Sequence, residues 1–138
     1  MQVKNQMTRR VQTIPPGTSI LRAMEIMREK SIRHLPVVKD GELLGLVTEG
    51  DLRQASLLSM VDRVSIEDVM IRKPATISPE ASIEEAARLI YRRKIGGLPV
   101  VGGKKLVGIL TVVDLLGAFI QLLGILKATL RVDVVLGN

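Results

Sequence analysis

The sequence predicts a mixed α/β (α+β) protein: two copies of a β-α-β-β-α unit, packed as one module with pseudo-two-fold symmetry. Three observations predict it. Shifted by 63 residues, positions 7–53 align with 70–116 without a gap, and 18 of the 47 pairs are identical. Each copy carries one apolar stripe at helical spacing, then two short β-branched runs separated by a glycine turn. Two copies are too few for a solenoid, which needs about three, so their apolar faces are expected to bury against each other.

The elements follow in order. Thr13-Ile14 and Thr76-Ile77 read as short extended entries closed by Pro16 and Pro79. A helix is expected from Ser19 to Lys30, because Ile20, Ala23, Met24 and Met27 fall at i, i+3, i+4 and i+7. Copy two repeats it with Ile83, Ala86, Ala87 and Ile90, started by the capping box Ser82-Ile83-Glu84-Glu85. Strands through Pro36-Val37-Val38 and over Leu43–Val47 are joined at Asp40-Gly41. The second copy has its turn at Gly102-Gly103 and its strand at Leu106–Leu110. Second helices start at Thr48 and Thr111. Residues 54–68 link the copies, with a short helix from Ser65, which places the first unit at 1–62 and the second at 63–124.

Composition narrows the function classes. Tyr91 and Phe119 are the only aromatics, which argues against a base-stacking platform for single-stranded nucleic acid. There is no cysteine, which removes disulfides, thiolate metal sites and cysteine nucleophiles. A formal charge of +6 attracts polyanions, nucleotides included. The basic groups Arg9-Arg10, Arg72-Lys73 and Arg92-Arg93-Lys94 read as solvated faces and helix-end charges. His34, the one histidine, reads as an ordinary side chain beside a loop. No signal peptide is visible, and the apolar stretch Leu106 to Leu126, broken by Gly108, Asp114, Gly117 and Gly124, reads as strand plus helix rather than a membrane span. A cytoplasmic protein with no membrane partner is expected.

The chemistry-bearing pattern is Gly-h-x-Thr-x-x-Asp, with h apolar, at Gly45–Asp51 and Gly108–Asp114. Each copy places it where a strand hands over to a helix. A helix start offers unpaired N–H groups to phosphate, Thr adds a hydroxyl, and an Asp carboxylate can accept both protons of a ribose diol. Gly would let a ligand approach the backbone. The same pattern also reads as a plain helix cap, Thr at the N-cap and Asp three residues on. Duplication copies caps as faithfully as sites.

Taken together, the Leu-Pro-Val-Val strands (Leu35–Val38, Leu98–Val101), the Gly-h-x-Thr-x-x-Asp handovers and the tandem copies resemble a CBS-domain pair over roughly residues 4–120. The resemblance implies a non-enzymatic regulatory module that binds AMP, ADP, ATP or S-adenosylmethionine in two clefts between the repeats. Carried over position by position, one cleft uses Thr111, Val113 and Asp114 with Thr13, Thr18, Ile32 and Arg33. The other uses Thr48, Gly50 and Asp51 with Thr76, Ala81, Ile95 and Gly96. The clefts differ where Arg33-His34 becomes Gly96-Gly97 and Glu49-Gly50 becomes Val112-Val113, so the Arg33 cleft is expected to favour phosphate. The resemblance further implies a homodimer and an effector domain or protein not identified by the sequence.

The tail, residues 125–138, is expected to leave its helix after Lys127. Ala128 to Leu136 alternates like a strand with one buried face, similar to the opening of the ACT domain in acetoin-utilisation-type CBS proteins. The competing readings are a module for nucleic acid or an acidic protein, and a purely structural dimerisation scaffold. Scattered basic residues argue against a nucleic-acid groove. With no cysteine and one histidine, no metal site is expected, and no nucleophile–base pair suggests an enzyme.

Overall fold

The computed structural model describes residues 1–58 and 64–137. Its elements are α1 (Val3–Gln6), α2 (Ile20–Lys30), β1 (His34–Lys39), β2 (Glu42–Thr48), α3 (Glu49–Leu57), α4 (Ile66–Val69), β3 (Ile71–Arg72), α5 (Ile83–Arg93), β4 (Gly97–Gly102), β5 (Lys105–Thr111) and α6 (Val112–Gly137). The expected boundary at 62/63 lies outside the described residues.

Each copy is built on a hairpin of identical register. His34 faces Thr48 and Gly97 faces Thr111, and both ladders shift at the same place, Val37/Val38 and Val100/Val101. The first turn is Asp40-Gly41, both left-handed (φ 52° and 80°), as a two-residue hairpin turn of the tighter type requires. In copy two Gly102 pairs with Lys105, so the turn is Gly103-Lys104, one residue later than expected. The two hairpins join through Glu42 and Lys105, giving the order β1-β2-β5-β4. The expected entry strands shrink to single parallel bridges, Ile14 with Val37 and Ile77 with Val100. Prolines at 15, 16 and 79 withhold the donors that a longer ladder needs.

Helices α2 and α5 start where expected. Ser19 Oγ accepts from the Arg22 N–H at 3.1 Å, and Ser82 Oγ from the Glu85 N–H at 3.0 Å. Both end on a left-handed residue, Ser31 and Lys94. The chain's N-terminus runs beside the start of α5. The Ile83 N–H donates to the Met1 carbonyl, and Gln2 bridges to Ser82.

That contact belongs to a larger exchange. The segment preceding each copy packs on the other copy. Val3 is fully buried in the second core with Ile77, Ala86, Leu98 and Leu110. Ile66 is fully buried in the first core with Ile20, Leu35 and Leu52. Likewise β3 pairs with β2, while Thr8 bridges to Ile109 of β5. The packing units therefore differ from the sequence units 1–62 and 63–124. This also changes the reading of Gly45 and Gly108. A Cβ on Gly45 would lie 2.6 Å from Met70 Sδ and 2.9 Å from the Ile71 carbonyl oxygen. One on Gly108 would lie at the same distances from Met7 Sδ and the Thr8 carbonyl oxygen. These glycines admit the exchanged segment, not a ligand.

The tail corrects a second expectation. Ala128 to Leu136 is helix, the continuation of α6, rather than a strand. An established helix adds residues cooperatively, whereas a lone strand has no partner for its ladder. Along α6 the large apolar residues from Val112 to Leu130 are exposed, except Leu115, which packs on the second core. By length and composition Val112–Leu130, mean hydropathy 1.7, is also apolar enough to cross a membrane.

Candidate functional site

Both Thr-x-x-Asp handovers are capping boxes. The Thr48 N–H donates to Asp51 Oδ2 at 3.0 Å, and the Asp51 N–H donates to Thr48 Oγ1 at 3.2 Å. At the start of α6 the Thr111 N–H donates to Asp114 Oδ2 at 2.9 Å, and the Asp114 N–H returns to Thr111 Oγ1 at 3.3 Å. The cap reading is thus correct for both copies, and it fixes each carboxylate through one oxygen. The Asp114 carboxylate gains another neighbour from the exchanged segment: the Thr8 hydroxyl lies 3.2 Å from Oδ1 and 3.4 Å from Oδ2. The equivalent of Thr8 in copy two is Ile71, which has nothing to donate.

Asp114 opens onto a cleft of about 930 Å³. One wall is the strand-to-helix handover of copy two, Ile109 and Thr111 to Asp114. The other is the exit from α2 in copy one, Lys30 to His34, and the floor continues along Arg10, Val11 and Gln12. The cleft is therefore composite, with every wall supplied by a different packing unit. Backbone hydrogen bonds hold the walls in equivalent ways: the Glu49 N–H donates to the Arg33 carbonyl, and the Val112 N–H to the Gly96 carbonyl.

His34 stands at the junction of the copies, half-buried, with its ring against Gly96 and Gly97. A Cβ on Gly96 would lie 2.9 Å from Cε1 and Nε2 of the imidazole. The expected ordinary loop side chain is instead the wedge between the repeats. This explains the glycine at 96: the imidazole occupies the space at the junction where a side chain on Gly96 would stand. Burial lowers the His34 pKa below 6.5, Arg33 lowers it further, and Asp51 opposes both. Arg33 itself is mostly exposed and lies 3.7 Å from Glu49 Oε2.

The family model for the CBS domain matches residues 2–58 and 66–121. The chain belongs to the CBS-domain family. Similar solved CBS pairs extend over nearly the whole chain. The acetoin utilization protein AcuB from Vibrio cholerae is 32% identical with a TM-score of 0.83, covering 93% of this chain and 96% of that one. CBSX2 of Arabidopsis thaliana, solved with AMP, is 31% identical at TM-score 0.81, covering 88% and 97%. The CBS pair of protein MJ0100, solved with 5′-methylthioadenosine and S-adenosyl-L-methionine, is 29% identical at 0.80, covering 86% and 95%. Inosine-5′-monophosphate dehydrogenase of Korarchaeum cryptofilum is 36% identical over 77% of this chain, a match that spans only 22% of the enzyme.

Within this CBS pair, the cleft brings together Ile32, Arg33, Thr111, Val113 and Asp114 from the expected set. Thr13 and Thr18 do not line it. Thr18 Oγ1 donates to the Pro15 carbonyl at 2.8 Å and closes the turn before α2, and Gln12 takes the lining position beside Thr13. Gly96, expected in the other cleft, lines this one because it faces His34. Of the second set, Thr48 and Asp51 form their cap, Gly50 and Thr76 are exposed, and the Ala81 carbonyl accepts the Val3 N–H. Ile95 packs on the second core. Sequence reasoning missed Thr8, Arg10, Gln12 and Lys30. The repeat itself held a signal for the first: Thr8 and Ile71 are a mismatched pair just after the matched Met7 and Met70.

Proposed function

We propose that this CBS pair is a regulatory module that senses adenosyl nucleotides in the Asp114 cleft and is not itself an enzyme. The observation that carries the reading is the composite wall: a carboxylate anchored through one oxygen at the start of α6, facing the Ile32-Arg33 exit of the other copy. The remaining acceptor capacity of Asp114 suits a ribose diol, the half-buried Ile32 suits a base face, and Arg33 suits phosphate. The Thr48/Asp51 cap, with Gly50, Thr76, Ala81, Ile95 and Gly96, is the second and weaker candidate of the same kind. A ligand shared between the packing units shifts their arrangement by no more than its differential affinity for the two states. Titration calorimetry with AMP, ADP, ATP and S-adenosylmethionine tests the reading. Wild type is expected to bind at least one of them and Asp114→Asn, which keeps the cap acceptor, to bind about tenfold more weakly. No heat from any of the four at millimolar concentration sinks it and leaves a scaffold.

A homodimer through α6 is part of the same proposal. Leu116, Phe119, Leu123, Leu126 and Leu130 recur at three- and four-residue steps and are all exposed, the spacing of a helix-pairing seam. At about 60–120 Å² per buried apolar side chain, these and the flanking Ile120 and Leu122 from two copies reach the roughly 1,200 Å² at which specific interfaces begin. The first turn of α6 is held in the cleft by Asp114, which favours a second copy over a bilayer as the seam's partner. Sedimentation is expected to give a dimer for wild type. Flotation with liposomes, in place of dimerisation, overturns this part.

A further inference from the structure

Three cations, Arg10, Lys30 and Arg33, line the cleft against one carboxylate, Asp114. They come from separate places in the chain: the exchanged segment, the last residue of α2, and the residue before β1. Lys30 and Arg33 flank Ser31, whose left-handed backbone (φ 53°) turns the chain sharply out of α2. Neither Arg10 nor Lys30 has an ion-pair partner among the described residues, and Arg33 has only Glu49 at 3.7 Å. Asp114 supplies the one negative charge, and it also accepts from the Thr111 N–H and from the hydroxyls of Thr111 and Thr8. The field in the cleft is positive.

The duplication supplies an internal contrast. The positions equivalent to Arg10, Lys30 and Arg33 are Lys73, Arg93 and Gly96, and the helix start opposite them carries Glu49 as well as Asp51. Three cations against one carboxylate become two against two. Val112, the equivalent of Glu49, leaves the Asp114 cleft without the second acid.

From this we infer that the Asp114 cleft selects its ligand by phosphate number, taking a nucleoside di- or triphosphate in preference to a monophosphate or a sulfonium nucleoside. The inference rests on the adenosyl reading above and deepens it. Arg10 and Lys30 meet the distal phosphates, and Arg33 exchanges Glu49 for phosphate on binding. A sulfonium ligand brings a positive charge into an already cationic cleft, and adenosine gains nothing from it. A cleft of about 930 Å³ leaves room for a nucleoside triphosphate.

Calorimetric titration of adenosine, AMP, ADP, ATP and S-adenosylmethionine, without divalent cations and at two salt concentrations, tests it. Affinity is expected to rise from AMP to ATP with a salt dependence that steepens in the same order. Arg10→Gln and Lys30→Gln are each expected to weaken ATP by about tenfold and to leave adenosine unchanged, while Glu49→Gln, which frees Arg33, tightens ATP. AMP or S-adenosylmethionine binding as tightly as ATP, or an ATP-to-AMP ratio that Arg10→Gln does not move, overturns the selectivity while leaving the adenosyl reading standing. Failure of every adenosyl ligand to bind overturns both.

Discussion

His34 and Gly96 decide how closely the two copies approach. Gly96→Ala would put a methyl 2.9 Å from the imidazole tip, and relieving that overlap is expected to cost about 1–3 kcal/mol, as overpacking does. Because the ring is the obstacle, His34→Ala should remove most of the cost. Urea denaturation of both single variants and the double variant measures this coupling, and simple additivity would show that the wedge is unimportant. The wedge also titrates. A histidine whose folded pKa lies below 6.5 resists protonation in the folded state, so its contribution is whole above that value and lost as pH falls below it. Thermal melts from pH 7.5 to 5.5 are expected to fall more steeply for wild type than for His34→Gln. Little of this was legible in the sequence. The mismatch of Arg33-His34 with Gly96-Gly97 was visible, but its cause lies in a contact between residues 62 positions apart. Arg10 and Lys30 were equally hidden, since nothing local separates a cation lining a cleft from one on a solvated face.

Among the elements, the hairpins and the α2 and α5 helices were readable because their signals are local: apolar period, serine caps and a Gly turn. The exchange of α1 and α4 between copies was not. Val3 and Ile66 sit in short polar stretches whose burial depends on the core of the other copy. Ile66→Ala is expected to cost about 2–5 kcal/mol, the usual range for emptying such a site, even though it lies outside the first repeat that it stabilises. Gly45→Ala and Gly108→Ala should each destabilise by about 1–3 kcal/mol, since the backbone carbonyl of the exchanged segment must give way as well as a methionine. If both melt like wild type, these glycines serve something other than the exchange. The tail was misread because a short alternation of apolar and polar residues fits a strand, while the decisive fact, a helix already running from Val112, is upstream. Leu123→Glu in the middle of the α6 seam is expected to convert a dimer to monomer without changing the far-ultraviolet circular dichroism, as read by sedimentation.

At the scale of the whole molecule, duplication produced a module in which neither copy completes its own core or its own cleft. Val3, Met7 and Thr8 serve the second packing unit, Ile66 and Met70 the first, and the cleft takes Asp114 from one side and Ile32-Arg33 from the other. The pseudo-symmetry gives the fold, and its violations at Thr8/Ile71, Arg33/Gly96 and Glu49/Val112 give the two handovers different charge and different donors. The central claim is that one ligand bridges both units. Amide hydrogen exchange with and without saturating ATP tests it most directly. Protection is predicted to appear together in three separate segments, Gln12, Ile32 to His34, and Thr111 to Asp114. Protection confined to one of them, or none in any, would contradict the composite site.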